Sequence, residues 1–125
     1  DKYNGNYLSE LDNLLLARLF DDAQKELLLF VAPKLILNYN STDNVEALRT
    51  LKQFLDRFPK KGMATWPTTL GIYDLFIDVM LNEKRDESKM KQIEEGLGLL
   101  MKFHNHKFIP ACCTIIEKRL NSVSF

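Results

Sequence analysis

The spacing of the apolar residues is the feature that most constrains how this chain folds. Leu8, Leu11, Leu15 and Leu19 recur at three- and four-residue steps, so a helix would place them on one face. The same period continues toward the C-terminal end, without the apolar–polar alternation that is typical of strands. The sequence therefore predicts an all-α fold of six or seven helices in antiparallel hairpins, forming an irregular bundle or a short helical-repeat array.

Prolines and polar clusters predict where these helices begin and end. The third helix should end before Pro59, because a residue that precedes proline is disfavoured in helical conformation. Pro67 and Pro110 suit the first turns of later helices, and the charged stretch 82–91 is expected to be an exposed connection. Helices are thus expected over residues 7–20, 23–39, 43–58, 68–82, 90–101 and 110–123.

Some residues are unusual for the helices that contain them. Pro33 should kink or split the second helix, because proline cannot donate a backbone hydrogen bond and clashes with the preceding turn. Gly96 and Gly98 each cost about 1 kcal/mol relative to alanine inside a helix, which predicts that a neighbouring helix approaches them closely. The helix at 68–82 is apolar on nearly all sides and should be central.

The boundary between the second and third helices is marked by polar residues. Residues 38–42 read Asn-Tyr-Asn-Ser-Thr, a composition that is typical of a turn. Asp43 and Glu46 are spaced as in a capping box, in which two side chains satisfy backbone groups at a helix start. We therefore expect the chain to leave the second helix before Ser41 and to enter the third at Asp43.

The length of 125 residues is that of one domain. We expect residues 1–125 to form a single α-helical domain, or a fragment of a longer helical protein, since the chain starts at Asp1 without methionine. The hydrophobic fraction of 46% is that of an ordinary globular protein. No run of about 18 apolar residues is present, so the sequence predicts no membrane partner.

The charges balance, with 17 Lys and Arg against 17 Asp and Glu, so overall basicity gives no argument for nucleic-acid binding. Their distribution is uneven, because residues 101–125 carry four basic side chains and one acidic one. This excess suits a phosphate-facing patch, and it equally suits the cationic bias of helix C-termini.

Cys112 and Cys113 are adjacent, and a disulfide between neighbours is strained. Either thiol could serve as a nucleophile if a nearby base lowered its pKa, but the apolar context favours packing in the core. Buried free thiols are typical of a reducing compartment. We therefore expect an intracellular protein of the cytoplasm, the nucleus or the mitochondrial matrix.

Helices three to six invite comparison with repeat proteins. Pro67 and Pro110 are 43 residues apart, a spacing found in HEAT and armadillo repeats. Residues 73–78 at the start of one helix, Gly96 in the next and Pro110 after it also form a pattern. This pattern resembles pentatricopeptide and TPR-like helical-hairpin repeats over about residues 70–120.

The resemblance to the pentatricopeptide family implies binding of single-stranded RNA. Asp74 falls where that family places a polar, base-reading residue, whereas Ile116 occupies the corresponding position of the following unit. Asp74 is therefore the residue for which the resemblance implies a contact with RNA.

Catalytic and metal chemistry find little support in the sequence. His104 and His106 are two residues apart, so a helix would not bring them to one face, and a polar turn is the favoured interpretation. Asp74 and Asp78 share a helix face as acid–base pairs do, but the same spacing is routine on solvated helices. Without a phosphate-binding loop or nucleophile motif, we predict a protein that is not an enzyme and has no cofactor or metal.

Two groups of side chains are candidates for partner or RNA binding. Trp66 lies close to Lys60 and Lys61, and an aromatic ring beside cations can stack on bases or anchor a protein. The favoured interpretation is that Trp66 packs over the start of the following helix. The second group is basic and comprises Lys102, His104, His106 and Lys107.

These observations favour a non-catalytic protein-interaction module, a scaffold or adaptor within a larger assembly, with a protein as its partner. The alternative is a pentatricopeptide-like module that binds single-stranded RNA in RNA processing or translation. The first hypothesis requires exposed apolar side chains, and the second requires phosphate contacts from Lys60, Lys61, Lys102 and Lys107.

Overall fold

The computed structural model describes residues 2–82 and 86–123, with side chains from residue 7 onward. Over these residues it contains seven α-helices and no strand, which confirms the all-α prediction. The helices are α1 (Lys2–Leu16), α2 (Phe20–Glu26), α3 (Ala32–Thr42), α4 (Val45–Leu55), α5 (Leu70–Asn82), α6 (Glu87–Leu100) and α7 (Ile109–Asn121).

The core is centred on α5, the helix that is apolar on nearly all sides. Tyr73, Phe76 and Ile77 of α5 are fully buried, and α5 packs against α4, α6 and α7. The central position predicted for this helix is therefore confirmed. Since α5 has neighbours on several sides, most of its residues are buried or half-buried, which leaves little of it for solvent.

Pro33 is accommodated by a π-helical turn, Leu27–Val31, that joins α2 to α3. Within this turn the Ala32 N–H donates to the carbonyl of Leu27, five residues back. The wider turn makes room for the proline ring, which would clash with the preceding turn of a regular helix. The predicted interruption is confirmed, and its form is a local widening of a helical path that runs from Phe20 to Thr42.

The first helix ends earlier than predicted. The chain leaves α1 after Leu16, and Arg18 has a φ of 61°, a left-handed conformation that stops the helix. Leu19 therefore falls outside α1 and is 49% exposed, whereas Leu11 and Leu15 are buried as expected. The placement of Leu19 on the core face was wrong, because the pattern cannot reveal where the backbone turns.

The turn predicted at residues 38–42 is helical instead. The Thr42 hydroxyl donates to the carbonyl of Asn38 at 2.8 Å, a bond that lets a polar residue continue the last turn. Asp43 then ends α3 with a φ of 54°. The N-cap of α4 is Asn44, whose side chain accepts from the N–H of Glu46 at 3.0 Å, so the predicted capping box at Asp43 was wrong.

The predicted close approach is confirmed at one of the two glycines. Gly96 in α6 is buried, and a methyl group there would lie 2.5 Å from two side-chain carbons of Ile72. Gly98 is exposed and has no such neighbour within 4 Å. Because Ile72 is near the start of α5 and Gly96 is near the end of α6, the two helices are antiparallel.

The prediction for the connection at 82–91 was only partly right. Residues 83–85 lie outside the described part of the chain. Helix α6 already begins at Glu87, because the Asp86 side chain accepts from the N–H of Lys89 at 3.1 Å and caps the helix. Met101, predicted on the core face, lies in a 3-10 turn beyond the end of α6 and is 41% exposed.

The C-terminal helix forms as predicted, with Pro110 in its first turn and Cys112, Ile116 and Leu120 buried. Helix α7 packs against α3. Contacts join Phe108 to Lys34 at one end and Arg119 to Asn40 at the other. The two helices are therefore parallel, and this pairing brings the C-terminal third of the chain against its N-terminal third.

Candidate interaction surface

Trp66 covers the start of α5. Its carbonyl oxygen and its ring carbon Cδ1 would lie 2.6 Å and 3.1 Å from a methyl group placed on Gly71, which shows how closely it sits on the helix. Its ring also packs at a tilt against Phe58, with centroids 6.1 Å apart. Trp66 is half-buried and packs as a staple, so only part of its ring remains for a partner.

The two lysines near Trp66 have different surroundings. The ammonium of Lys60 lies 5.2 Å from the centroid of the Trp66 ring and 2.9 Å from Asp56. Lys61 is exposed on the same 3-10 turn, Lys60–Gly62. Lys60 and Trp66 are therefore neighbours, as predicted, but the ammonium of Lys60 already pairs with Asp56.

Asp74 lies at the centre of a network of ion pairs that links α4, α5 and α6. Its Oδ1 accepts from Lys52 Nζ at 2.6 Å, and its Oδ2 lies 3.5 Å from Lys60 Nζ. Asp78, one turn further along α5, lies 3.9 Å from Lys52 and 3.7 Å from Lys89. The two carboxylates that could have formed an acid–base pair are thus each paired with lysines.

The network changes the titration of its members. Burial opposes the charged form of Lys52, but the hydrogen bond that Lys52 donates to Asp74 and the charges of Asp74, Asp56 and Asp78 outweigh it and raise the pKa of Lys52. Burial likewise opposes ionisation of Asp56, yet Lys60 and Lys52 hold the pKa of Asp56 below its usual value. Both pKa shifts keep Lys52 and Asp56 charged over a wider range of pH, as a structural network of ion pairs requires.

The second predicted group occupies the turn between α6 and α7. His104 Nδ1 lies 3.0 Å from the carbonyl oxygen of Met101, within the turn itself. The ring of His106 meets the edge of Phe30, with centroids 6.1 Å apart. Lys102 is exposed, and Lys107 Nζ lies 5.4 Å from the ring centroid of Phe108. The four residues lie in the connection between α6 and α7, as the interpretation as a polar turn predicts.

The two cysteines are buried and free. Burial, joined by the neighbouring thiol of Cys113, raises the pKa of Cys112 far above its usual value. Burial raises the pKa of Cys113 to about 11. A thiol in this state is a poor nucleophile near neutral pH, so the packing interpretation holds for both.

Several large apolar side chains are exposed, and the sequence analysis did not propose any of them as a binding residue. Leu16 is 69% exposed beside Leu19 at the end of α1, and Phe30 is 37% exposed on the π-helical turn. Of these three residues, the apolar spacing placed only Leu19 on the core face, and the turn at Arg18 takes it out of α1.

The described part of the chain contains neither a candidate metal site nor a candidate membrane span. No three His, Cys, Asp or Glu side chains there come close enough together to hold a metal ion. None of the helices in the described ranges has the length and apolarity that a membrane span needs.

Comparison with known proteins gives one relationship. No protein-family model matches the chain. Its sequence is 28% identical over 123 residues to nucleoporin NUP145 of Saccharomyces cerevisiae. The match covers 98% of this chain but spans only 9% of the length of the nucleoporin. The chain is therefore similar, along nearly its whole length, to a small part of a nucleoporin.

Proposed function

We propose that this chain is a non-catalytic structural part of a large protein assembly, the nuclear pore, in which its helices hold neighbouring proteins. The similarity to nucleoporin NUP145 over 98% of the chain is the observation that carries this proposal. A scaffold role needs surfaces and a stable fold rather than reactive groups, and it agrees with the interaction module inferred from the sequence.

The surroundings of the chemically interesting side chains support a structural role. The pair Asp74 and Asp78 is held by lysines, with Lys52 only 2.6 Å from Asp74. Cys112 and Cys113 are buried and have raised pKa values. These groups stabilise the helical stack and are poorly placed to act on a substrate.

The exposed apolar side chains support a protein as the partner. Leu16 and Leu19 at one end, and Phe30 and Met101 elsewhere, are large hydrophobic residues that solvent contacts. Apolar and aromatic side chains of this kind supply much of the binding energy at protein–protein interfaces. Of the compartments that the sequence allows, the similarity to a nucleoporin favours the nucleus and its envelope.

The test is to label the full-length protein with a fluorescent tag at its own gene. We expect a punctate ring at the nuclear envelope and sedimentation with a large complex. Ile72→Asp places a charge in the fully buried core and should abolish both signals. Lys91→Glu, on the exposed face of α6, is the matched control and should abolish neither. Diffuse fluorescence and sedimentation of the unaltered protein as a monomer would overturn the proposal.

A further inference from the structure

An open cleft of about 690 Å³ lies where α1, α3 and the start of α7 meet. None of the residues that line it is acidic. They are Tyr7, Lys34, Leu37, Asn38, Asn40, Ser41 and Phe108. The parallel packing of α7 on α3 brings Phe108 to one side of the cleft, and none of the candidate binding residues that the sequence singled out lines it.

Lys34 supplies a cation to this cleft. Its ammonium lies 4.6 Å from the ring centroid of Tyr7 and 5.4 Å from that of Phe108. Within residues 7–82 and 86–123, no carboxylate forms a salt bridge with it. The two rings hold the ammonium in place without neutralising its charge. Lys34 therefore presents a fixed positive charge that can pair with an anion.

Asn40 supplies a neutral donor to the cleft. Its Oδ1 accepts from Arg119 Nε at 3.1 Å, so its NH₂ group is left to donate. Burial raises the pKa of Tyr7, which keeps its hydroxyl protonated. The cleft thus combines a cation with neutral donors.

The acidic side chain at the end of α3 is already paired with another cation. Asp43, at the end of α3, pairs with Arg119 at 2.8 Å. A further cation, Lys107, lies 5.4 Å from the ring centroid of Phe108 at the other end. The lining of the cleft is therefore positive although the whole chain is neutral, since Lys34 is the one charged residue among the described residues that line it.

From this arrangement we propose that the cleft binds a carboxylate of an acidic segment in a neighbouring protein, with Lys34 as its ionic partner. Leu37 and the edges of the two rings would contact the aliphatic part of a glutamate side chain. A protein fits better than RNA, because the ammonium groups of Lys34 and Lys107 already occupy ring faces on which bases would stack. The inference rests on the proposed scaffold function, since it assumes that a protein neighbour is present.

The test uses the full-length protein in its own cells. Ser41→p-benzoylphenylalanine places a photo-crosslinker at the exposed edge of the cleft, and Ser88→p-benzoylphenylalanine on α6 is the matched control. Mass spectrometry then identifies what is attached. We expect the first position to crosslink to a protein segment rich in Asp or Glu, in a yield that Lys34→Glu reduces on the order of tenfold. Exchanging an acidic residue of that segment for lysine should restore the yield with Lys34→Glu.

Other outcomes decide against the proposal. A crosslink to RNA, a crosslink to a protein segment without acidic residues, or no crosslink that is specific to the Ser41 position would each overturn it. So would a yield that Lys34→Glu leaves unchanged while circular dichroism shows a folded chain. The position of the tagged protein at the nuclear envelope is read in the same cells. If the fluorescent ring at the nuclear envelope persists without the crosslink, only the proposed binding at the cleft is refuted. If the unaltered protein shows no fluorescent ring, the scaffold function is refuted.

Discussion

The hydroxyl of Tyr73 donates a hydrogen bond to the carbonyl oxygen of Leu28 at 2.8 Å inside the core. In a regular helix this carbonyl would accept from Ala32, but the Ala32 N–H donates to Leu27 instead. In a π-helical turn it would accept from residue 33, and proline has no N–H. Tyr73 therefore satisfies a buried carbonyl that Pro33 leaves available, and it ties α5 to the widened turn.

We expect Tyr73→Phe to lower the free energy of unfolding by about 1–3 kcal/mol. The change removes the hydroxyl and leaves the Leu28 carbonyl buried without its donor. Urea denaturation followed by circular dichroism measures the difference. Tyr39→Phe is the matched control, since Tyr39 is also buried but its ring, rather than its hydroxyl, meets Arg119. An equal loss for both variants would contradict the role assigned to the hydrogen bond.

Substitution by alanine should change the stability of the protein in opposite directions at the two glycines of α6. Gly96→Ala forces a methyl group against Ile72, which is fully buried, so we expect a loss of about 1–3 kcal/mol in stability. Gly98→Ala meets nothing within 4 Å and should gain up to about 1 kcal/mol from helix propensity. Thermal denaturation of the two variants provides the comparison. A gain for Gly96→Ala would show that α5 and α6 are not in close contact.

The ion-pair network around Asp74 should contribute more to stability than an exposed pair. Asp74→Asn weakens a 2.6 Å contact with Lys52 and leaves that lysine without its main partner, so we expect a loss on the order of 1–2 kcal/mol. Glu46→Gln removes the exposed pair with Arg49 and should change stability by less than about 0.5 kcal/mol. The comparison is made by urea denaturation at low ionic strength. Equal effects would mean that the network is no more than a set of solvated charges.

The thiols should make stability fall at alkaline pH. Folding raises the pKa of Cys113 from 9.0 to about 11, so the unfolded chain loses its proton first as the pH rises. The stabilisation of the folded state that Cys113 contributes is fully present below pH 9.0 and is lost as the pH rises toward about 11. Raised pKa values of Cys112 and Tyr73 act in the same direction. Urea titrations across this range should show the fall, and Cys113→Ala should make it less steep.

The same burial predicts that both thiols resist labelling. In the native protein at neutral pH, we expect neither Cys112 nor Cys113 to react with a maleimide within minutes, because neither is accessible as a thiolate. In concentrated guanidinium chloride both should react. Mass spectrometry counts the labels, and fast labelling of the native chain would contradict a packing role.

The RNA-binding hypothesis remains a prediction with a direct measurement. We expect labelled single-stranded RNA of mixed sequence to bind more weakly than micromolar, because Asp74 and Lys60 already contact one another. Fluorescence anisotropy at low and moderate salt tests this. Tight binding that falls steeply with salt and disappears when Lys60, Lys61, Lys102 and Lys107 are changed to Glu would instead establish phosphate contacts.

The sequence by itself determined the helical class, the central position of residues 70–82, the interruption at Pro33 and the burial of the cysteines. Each depends on a local or periodic property, such as the apolar spacing around Phe76 or the missing N–H of proline. These properties act over one or two helical turns, so they can be read along the chain without knowledge of its neighbours.

Only the tertiary structure decided which surfaces remain available. The turn at Arg18 exposes Leu19, and Lys52 of α4 pairs with Asp74 of α5. The cleft around Lys34 needs Tyr7 and Phe108, about a hundred residues apart in the sequence, to lie close to the same lysine. Contacts of this kind depend on how whole helices pack, and the packing energy is set by the assembled core rather than by any segment alone.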